Sequence, residues 1–272
     1  MDSNMVEIDG AATHVLRAGD PGAPVVVLLH GGAHGESAET AWERNMPALA
    51  RGHHVVAPDW LGFGRSAKLV DFADRMGRMI SHLGRLLDHL KIGEADLVGL
   101  SMGGSALIRA LCESSLPGRR AVLVSAGGPP IGGPMRERLM AYDGTTEGMR
   151  EQIRLAFADP GWARDDAYVA RRQEIAALPG AFEAFASMGV RGPTPPPPPN
   201  EPDYRRIAVP TLLIAGALDR LKPAGFAEEA ARRIPGARLE IFEDCGHCPQ
   251  LENAGRFDRT VLDFLTNPQE SA

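Results

Sequence analysis

Continuous apolar runs recur along this chain, and segments with helical periodicity lie between them. The runs occupy residues 24–30, 53–59, 95–100, 120–125, 210–216 and 237–242. A strand that is apolar at nearly every position needs cover on both of its faces. Strands of this kind that alternate with helices predict an α/β fold, in which a mainly parallel sheet carries helices on both faces.

Helical periodicity is clearest in residues 40–51, 71–90 and 255–266, where apolar side chains recur on one helical face. In the second of these segments the periodic positions run from Phe72 to Leu90. Near the N-terminus, two short runs at 6–8 and 13–18 flank "DGAA", which predicts a hairpin.

The alternation breaks between about residue 128 and residue 205. This region contains helical stretches near 136–141, 146–158, 165–178 and 180–189, and it ends in "RGPTPPPPPNEPDY". Consecutive prolines favour a stiff, extended connector. Because strands resume directly afterwards, we interpret 128–205 as a helical lid inserted between two parts of the core, 1–127 and 206–272. The alternative is a small helical domain without a part in catalysis.

Composition argues against some classes of binding partner. It has 272 residues with a formal net charge of −6, which suits one domain with an insertion and argues against binding to nucleic acid. No apolar run approaches the roughly 20 residues of a membrane span. The segment "MDSNMVEIDG" lacks the basic and apolar regions of a signal peptide. We therefore expect a cytoplasmic protein without a membrane or nucleic-acid partner.

The chain has three cysteines, and two of them, Cys245 and Cys248, flank His247 in "EDCGHCPQLE". A zinc site needs three or four ligands, and no second C-x-x-C is present to complete one. We therefore expect neither a metal nor an organic cofactor. In this interpretation His247 is the functional residue, and Cys248 forms a wall of the pocket.

A candidate nucleophile lies in "VGLSMGGSA" (98–106), between a predicted strand and a predicted helix. The pattern is G-x-S-x-G, with Gly99, Ser101 and Gly103. Small residues on either side of the serine allow the tight turn that exposes its hydroxyl above the sheet. The following helix directs its N-terminus toward the site. We predict that Ser101 is a nucleophile.

A serine needs a base, and in this architecture the chain order is serine, then a carboxylate, then histidine. Asp219 follows the strand 210–216, and His247 follows the strand 237–242. The carboxyl ends of parallel strands share one edge of the sheet, so the three side chains should meet there. Asp244 is a competing acid, but it is too close in sequence to His247 to reach the far ring nitrogen comfortably.

The loop "HGGAHG" (30–35) follows the first apolar run and should supply part of an oxyanion hole. We predict that the backbone N–H groups of Gly32 and Met102 are the two donors, and that Gly31 allows close approach of substrate. His34 is the one other histidine with a chance of lining the pocket. Asp59 and Arg65, at another strand end, are expected to organise loops.

Over nearly its whole length the chain resembles the α/β-hydrolase superfamily, and this resemblance implies an α/β-hydrolase fold. The similar segments, in the usual order, are "LLHGG", "VVAPDWLGFGRS", "LVGLSMGG", "LLIAGALDRLKP" and "CGHCPQLENAGRFDRTVLDFL". Within the superfamily it is most similar to the meta-cleavage-product hydrolases, on "HGG", "WERN", "SMGG" and "VARRQEIAALPGAF". Those enzymes hydrolyse a C–C bond in vinylogous 1,5-diketones.

The resemblance also identifies candidate substrate-binding residues. The arginine that holds the substrate's carboxylate end in that family matches Arg172, which implies a small-molecule substrate with an anionic end. The helical spacing of 165–178 also places Arg172 within the apolar stripe and Arg171 nearer the polar side. Leu100 and Cys248 stand where the family usually has Asn and Trp, and Ala41 lies near the position of another expected Asn.

These departures leave more than one function open. The first is a serine-dependent hydrolase of a small carbonyl substrate, cleaving a C–C bond of a meta-cleavage-product-like diketone acid. The second is a carboxylesterase or lactonase with the same three residues, which the departures favour. The third is a non-catalytic ligand-binding protein on this fold. A homodimer is compatible with each of them, and the residues do not decide the oligomeric state.

The cysteine pattern generates a first prediction. Chelators should leave activity unchanged, and the double variant Cys245→Ser, Cys248→Ser should retain the fold, because the two thiols have no further ligands with which to hold a metal. Enzyme assays with and without chelator, and circular dichroism of the double variant, provide the measurements. Stoichiometric zinc that is removed together with activity would contradict the prediction.

Overall fold

A central sheet organises the structure. The computed structural model of the chain describes residues 1–190 and 202–267. In this part of the chain eight strands form one sheet in the order β1-β2-β4-β3-β5-β6-β7-β8. Pairing is antiparallel for β1 with β2 and for β2 with β4, and parallel elsewhere. The strands are β1 (Asp2–Ile8), β2 (Ala11–Ala18), β3 (Val25–Leu29), β4 (His54–Pro58), β5 (Ala95–Leu100), β6 (Gly118–Val124), β7 (Thr211–Gly216) and β8 (Arg238–Phe242).

Helices alternate with the strands and also form a separate group between β6 and β7. The core helices are α1 (Ala38–Trp42), α2 (Met46–Leu49), α3 (Arg75–His89), α4 (Met102–Glu113), α9 (Gly225–Arg233), α10 (Pro249–Glu252) and α11 (Ala254–Thr266). The group between β6 and β7 consists of α5 (Gly133–Met140), α6 (Thr146–Ala156), α7 (Asp166–Ala176) and α8 (Ala181–Ala186). The predicted α/β fold with a mainly parallel sheet is confirmed.

Two of the predicted helices have different boundaries in the structure. The segment 40–51 contains two short helices instead of one, because Pro47 has no N–H with which to continue α1 into the next turn. The segment 71–90 becomes helical only at Arg75, since the Asp74 side chain accepts the N–H of Gly77 and caps α3 there. Phe72 therefore precedes the helix and is 63% exposed, contrary to its predicted place in the apolar stripe.

The two faces of the sheet are covered by different helices. Along β3, Val27 and Leu29 belong to the apolar cluster with α3 and α4, whereas Val26 and Leu28 belong to the cluster with α1, α2 and α11. Successive side chains of a strand point to opposite faces, so a strand buried on both must be apolar throughout. This is why the parallel strands are continuous apolar runs in the sequence.

The helical insert, residues 133–189, has an apolar cluster of its own. Tyr142, Ile153 and Tyr168 form part of it, and Leu221 and Cys248 from the core complete it. The insert therefore rests on the loops that follow β7 and β8. The predicted extended connector at 195–199 lies outside the described residues, and the division of the chain at 128 and 205 stays a prediction. None of the described helices combines the length and the apolar character that crossing a membrane requires.

The buried position of β3 predicts a large loss of stability on truncation. Leu28 is fully buried, so Leu28→Ala should lower the free energy of unfolding by about 2–5 kcal/mol, through lost apolar burial and the cavity that remains. Urea unfolding measures this change. Leu69→Ala is the matched control, because Leu69 is 50% exposed and its truncation should change stability by no more than about 0.5 kcal/mol. Equal losses in both variants would contradict the assignment of Leu28 to the core.

Candidate active site

Ser101 lies on the tight turn between β5 and α4. Its backbone has φ +52° and ψ −109°, a strained conformation for a residue with a side chain, and its N–H donates to the carbonyl of Val124 at 2.8 Å. A Cβ at Gly99 would lie 2.6 Å from the carbonyl carbon of Gly103, and a Cβ at Gly103 would lie 2.5 Å from the carbonyl oxygen of Leu29. The two glycines of the motif are thus required by the approach of helix to sheet.

The two predicted oxyanion donors are neighbours in the structure. Met102 is the first residue of α4, so its N–H has no acceptor within the helix. A Cβ at Gly32 would lie 2.6 Å from Sδ of Met102, which places the loop after β3 directly against the start of α4. The backbone of both residues therefore adjoins Ser101.

His247 and Asp219 are in direct contact. The imidazole donates from Nδ1 to Oδ2 of Asp219 at 2.7 Å, and both side chains are buried. Oδ1 of Asp219 accepts the N–H groups of Leu221 and Lys222 at 2.8 and 2.9 Å. The N–H of His247 donates to the carbonyl of Ala156 in the insert at 2.7 Å. The carboxylate is thus held by its own loop, and the imidazole is oriented by the carboxylate.

The competing acid does not contact the imidazole. Asp244 is exposed, and its carboxylate lies 3.4 Å from Nδ2 of Asn253. Within the described residues, the partners of the His247 ring do not include the hydroxyl of Ser101. The geometry therefore joins His247 to Asp219.

Opposing effects act on the pKa of His247. Burial lowers it, but the adjacent Asp219 carboxylate, and Glu36 in addition, raise it by more, so that the pKa lies above its ordinary value. The imidazolium is thus stabilised in a site that water scarcely reaches. This suits a group that gains a proton during a reaction.

Sequence reasoning missed Glu252, which holds the loop of His247. Its Oε1 accepts the N–H groups of Gly246 and Cys248 at 2.8 and 3.3 Å, and its Oε2 accepts that of Ala158 at 2.7 Å. One carboxylate thus joins both neighbours of His247 to the insert. The only signal in the sequence is an acidic residue shortly after the candidate base.

Lys222 was missed as well. This buried lysine donates from Nζ to the carbonyls of Gly127 and Pro129, at the start of the predicted lid. It joins the loop of Asp219 to the chain that leads into the insert.

Arg172 is buried, with its guanidinium directed at the loop after β3. Nε and Nη2 donate to the carbonyl of His34 at 3.1 and 2.5 Å, and Nη1 donates to the hydroxyl of Tyr168 at 3.3 Å. Nη1 also lies 3.9 Å from Oε1 of Glu36, a buried carboxylate that sequence reasoning missed. Arg171, by contrast, is about one-third exposed and pairs with Glu43 at 2.7 Å.

The other substrate-binding candidates occupy different surroundings. Gly31 lies against the Glu36 carboxylate, and Leu100 packs in the apolar cluster of α1, α2 and α11. Cys248 belongs to the cluster of the insert, whereas Cys245 lies in the same cluster as Leu100. The two thiols therefore face different parts of the molecule. Burial raises the pKa of Cys245 to about 12 and raises that of Cys248, which keeps both thiols protonated at neutral pH.

Two histidines of the loop after β3 are neutral. His30 donates from Nδ1 to the carbonyl of Gly31 at 2.7 Å and accepts the N–H of Trp60 at Nε2, and burial lowers its pKa. The ring of His34 packs 3.5 Å from that of Phe185, and burial, together with nearby Arg172, lowers its pKa to about 3. Both rings stabilise the loop.

Asp59 organises the adjacent loops, as expected. Its Oδ1 accepts the N–H of Ala38 at 2.7 Å, and its Oδ2 accepts that of Arg65 and Nδ1–H of His14, each at 2.8 Å. These contacts join the start of α1, strand β2 and the loop after β4.

Comparison with known protein sequences identifies similar hydrolases. Residues 26–260 match the sequence model of the alpha/beta hydrolase family. The chain is 32% identical over 257 residues to 2-hydroxymuconate semialdehyde hydrolase of Pseudomonas sp. (strain CF600), which covers 91% of this chain and 88% of that protein.

Comparison with solved structures also identifies hydrolases with a similar fold. A meta-cleavage product hydrolase of Pseudomonas fluorescens IP01 has a TM-score of 0.85 and 27% identity, covering 96% of this chain and 97% of the other. The 2-hydroxy-6-oxo-6-phenylhexa-2,4-dienoate hydrolase of Rhodococcus sp. strain RHA1 has a TM-score of 0.82 and 27% identity, covering 98% and 100%. The predicted resemblance to meta-cleavage-product hydrolases is confirmed.

The contact between His247 and Asp219 predicts how the imidazole titrates. Its pKa should lie above the ordinary value of about 6.5, and Asp219→Asn should lower it, because the largest of the effects that raise the pKa is then removed. NMR of the His247 ring protons as a function of pH measures this. Asp244→Asn is the control and should leave the pKa nearly unchanged. A pKa that falls in the control, but not in Asp219→Asn, would assign the acid to Asp244.

Proposed function

The chain belongs to the alpha/beta hydrolase family, and on this premise we propose that Ser101, His247 and Asp219 form the catalytic triad of a serine-dependent hydrolase. The observation that carries the proposal is the buried 2.7 Å hydrogen bond between His247 and Asp219, at the sheet edge where Ser101 occupies a strained turn. The prediction that the chain is a hydrolase is confirmed by its named relatives.

In this mechanism His247 accepts the proton of Ser101 through Nε2 as Oγ attacks the carbonyl carbon of the substrate. Asp219 holds Nδ1–H, which leaves Nε2 free to act as the base, and it stabilises the imidazolium that forms. The negative charge that develops on the carbonyl oxygen is bound by the N–H groups of Gly32 and Met102. Water then releases the acyl group from Ser101, with His247 again as base.

The bond that breaks is, in our first proposal, a C–C bond of a vinylogous 1,5-diketone. The departing carbon must carry away an electron pair, which conjugation with the second carbonyl can delocalise. His247, protonated in the first step, returns its proton to that carbon fragment. The 2-hydroxymuconate semialdehyde hydrolase and the meta-cleavage product hydrolase described above, 32% and 27% identical to this chain, support the proposal.

Hydrolysis of an ester or lactone is the second candidate. It is supported by the surroundings of Arg172, whose donors are already directed at His34 and Tyr168 and whose charge faces Glu36. Leu100 and Cys248 add no polar group where the family usually has Asn and Trp. An alcohol leaving group needs less stabilisation than a carbanion, so the same triad would suffice.

Substitution of the nucleophile tests the proposal. Ser101→Ala should retain the fold and lose at least about a thousand-fold in kcat, since a triad without its serine lacks the attacking atom. A fluorophosphonate should label the wild type and not the variant. Ser105→Ala, one turn further along α4, is the control and should keep both activity and labelling. Labelling that persists in Ser101→Ala would refute the assignment.

Two substrates separate the two candidates. Release of colour from a p-nitrophenyl ester, without turnover of a coloured dienoate, would favour an esterase. Efficient turnover of the dienoate would favour C–C bond hydrolysis.

A further inference from the structure

Glu36 is a buried carboxylate with unused capacity to accept hydrogen bonds. Its side chain is 7% exposed, and it lies in the loop after β3. An ionised carboxylate can accept about four hydrogen bonds. Within the described part of the chain, the carboxylate of Glu36 accepts one hydrogen bond, from the N–H of Ala33 to Oε2 at 3.3 Å. Burial of a carboxylate is costly, and further hydrogen-bond donors would lower that cost.

The carboxylate faces the proposed reaction site. A Cβ at Gly31 would collide with Oε2, so the carboxylate lies directly against the glycine that precedes a proposed oxyanion donor. Its negative charge also raises the pKa of three groups that converge there, those of His247, Cys248 and Tyr168. The carboxylate thus lies between the loop of the proposed oxyanion donor and Arg172 of the insert.

Arg172 is too far from Glu36 to donate a hydrogen bond to the carboxylate, but its positive charge balances the charge of the carboxylate. The 3.9 Å between Nη1 and Oε1 is too long for a hydrogen bond. Two of the three guanidinium nitrogens are directed at the carbonyl of His34. The pair therefore presents one donor and one acceptor side by side, with no net charge.

This arrangement discriminates between ligand groups. A carboxylate placed beside Arg172 would also lie beside the Glu36 carboxylate, and like charges in a buried site repel strongly. A hydroxyl group can donate to Oε1 of Glu36 and accept from Nη1 of Arg172. An oxygen at about 2.8 Å from each atom spans the gap between them with ordinary hydrogen bonds.

We propose that Glu36 determines specificity, and that the substrate presents a neutral hydroxyl group, not a carboxylate, to the pair formed by Glu36 and Arg172. The proposal rests on the proposed function in that Ser101 acts on a carbonyl of the same substrate. It replaces the anionic end expected from the sequence. The hydroxyl of a hydroxy ester meets the requirement, and so does the enol hydroxyl of a vinylogous diketone that has no carboxylate on the adjacent carbon.

A pair of matched substrates and an isosteric variant test the proposed specificity. Two p-nitrophenyl esters with acyl chains of equal length, one ending in a hydroxyl and one in a carboxylate, are compared by kcat/KM. The wild type should prefer the hydroxy ester. Glu36→Gln removes the charge and adds a donor, so the preference should fall by roughly ten- to a hundred-fold, the range of a charge-assisted hydrogen bond.

Glu43→Gln is the matched control. Glu43 pairs with Arg171 as Glu36 faces Arg172, but that pair is partly exposed. The control removes the same charge from the same part of the chain, and the ratio of the two kcat/KM values should stay as in the wild type. Thermal unfolding of each variant establishes that its fold is retained. The proposal is overturned if the wild type prefers the carboxylate ester. It is also overturned if the ratio of the two kcat/KM values stays unchanged in Glu36→Gln, or if it changes equally in Glu43→Gln.

Failure of the proposed function gives a different result. In that case neither ester is turned over and a fluorophosphonate does not label Ser101. Calorimetry then measures binding of a methyl ketone that ends in a hydroxyl and of its counterpart that ends in a carboxylate. Tighter binding of the hydroxy ketone by the wild type, lost in Glu36→Gln, supports the role of Glu36. Equal binding of the two ketones by the wild type overturns it.

Discussion

The close approach of α4 to β5 is the constraint on which the site depends. It is possible only because Gly99 and Gly103 have no side chains, and it places Ser101 in a left-handed backbone conformation at the centre of the sheet edge. Such strain costs on the order of 1–3 kcal/mol and persists only where the surroundings hold it. Here the sheet holds it, since the N–H of Ser101 donates to Val124 on β6. The start of α4 then meets Gly32, so the loop that carries this proposed oxyanion donor is positioned by the same contact.

Carboxylates that are buried, or half-buried in the case of Glu252, hold the loops around that turn. Asp59, Asp219 and Glu252 each accept two or more backbone N–H groups, which compensates for the loss of water around their charges. Each of them joins segments that are distant in sequence or closes the loop in which it lies. Glu36 differs, because a single long hydrogen bond leaves most of its acceptor capacity unused. The remaining acceptor capacity of Glu36, beside the charge of Arg172, is the basis for proposing that a ligand binds there.

The helical insert is hydrogen-bonded to the loop of His247 and to the loop after β3. The carbonyl of Ala156 accepts the N–H of His247, the N–H of Ala158 donates to Glu252, and Arg172 donates to the carbonyl of His34. Displacement of the insert would therefore break hydrogen bonds to the proposed base, His247, and to the loop after β3. The position of the insert and the backbone at His247 are thus coupled, while the ring itself is oriented by Asp219.

The sequence alone determined the architecture and the placement of the candidate triad, because both follow from local patterns. Apolar runs alternate with helical periodicity, the glycines around Ser101 mark a tight turn, and Asp219 and His247 each follow a parallel strand. Only the tertiary structure decided which groups meet. It brought His247 to Asp219 and left Asp244 exposed, and it placed Arg172 against a carbonyl 138 positions away in sequence. Periodicity predicts that a side chain is buried, but not its partner. The proposed role of Glu36 could not be predicted for the same reason, because its burial and its charge partner arise only when the insert packs onto the core.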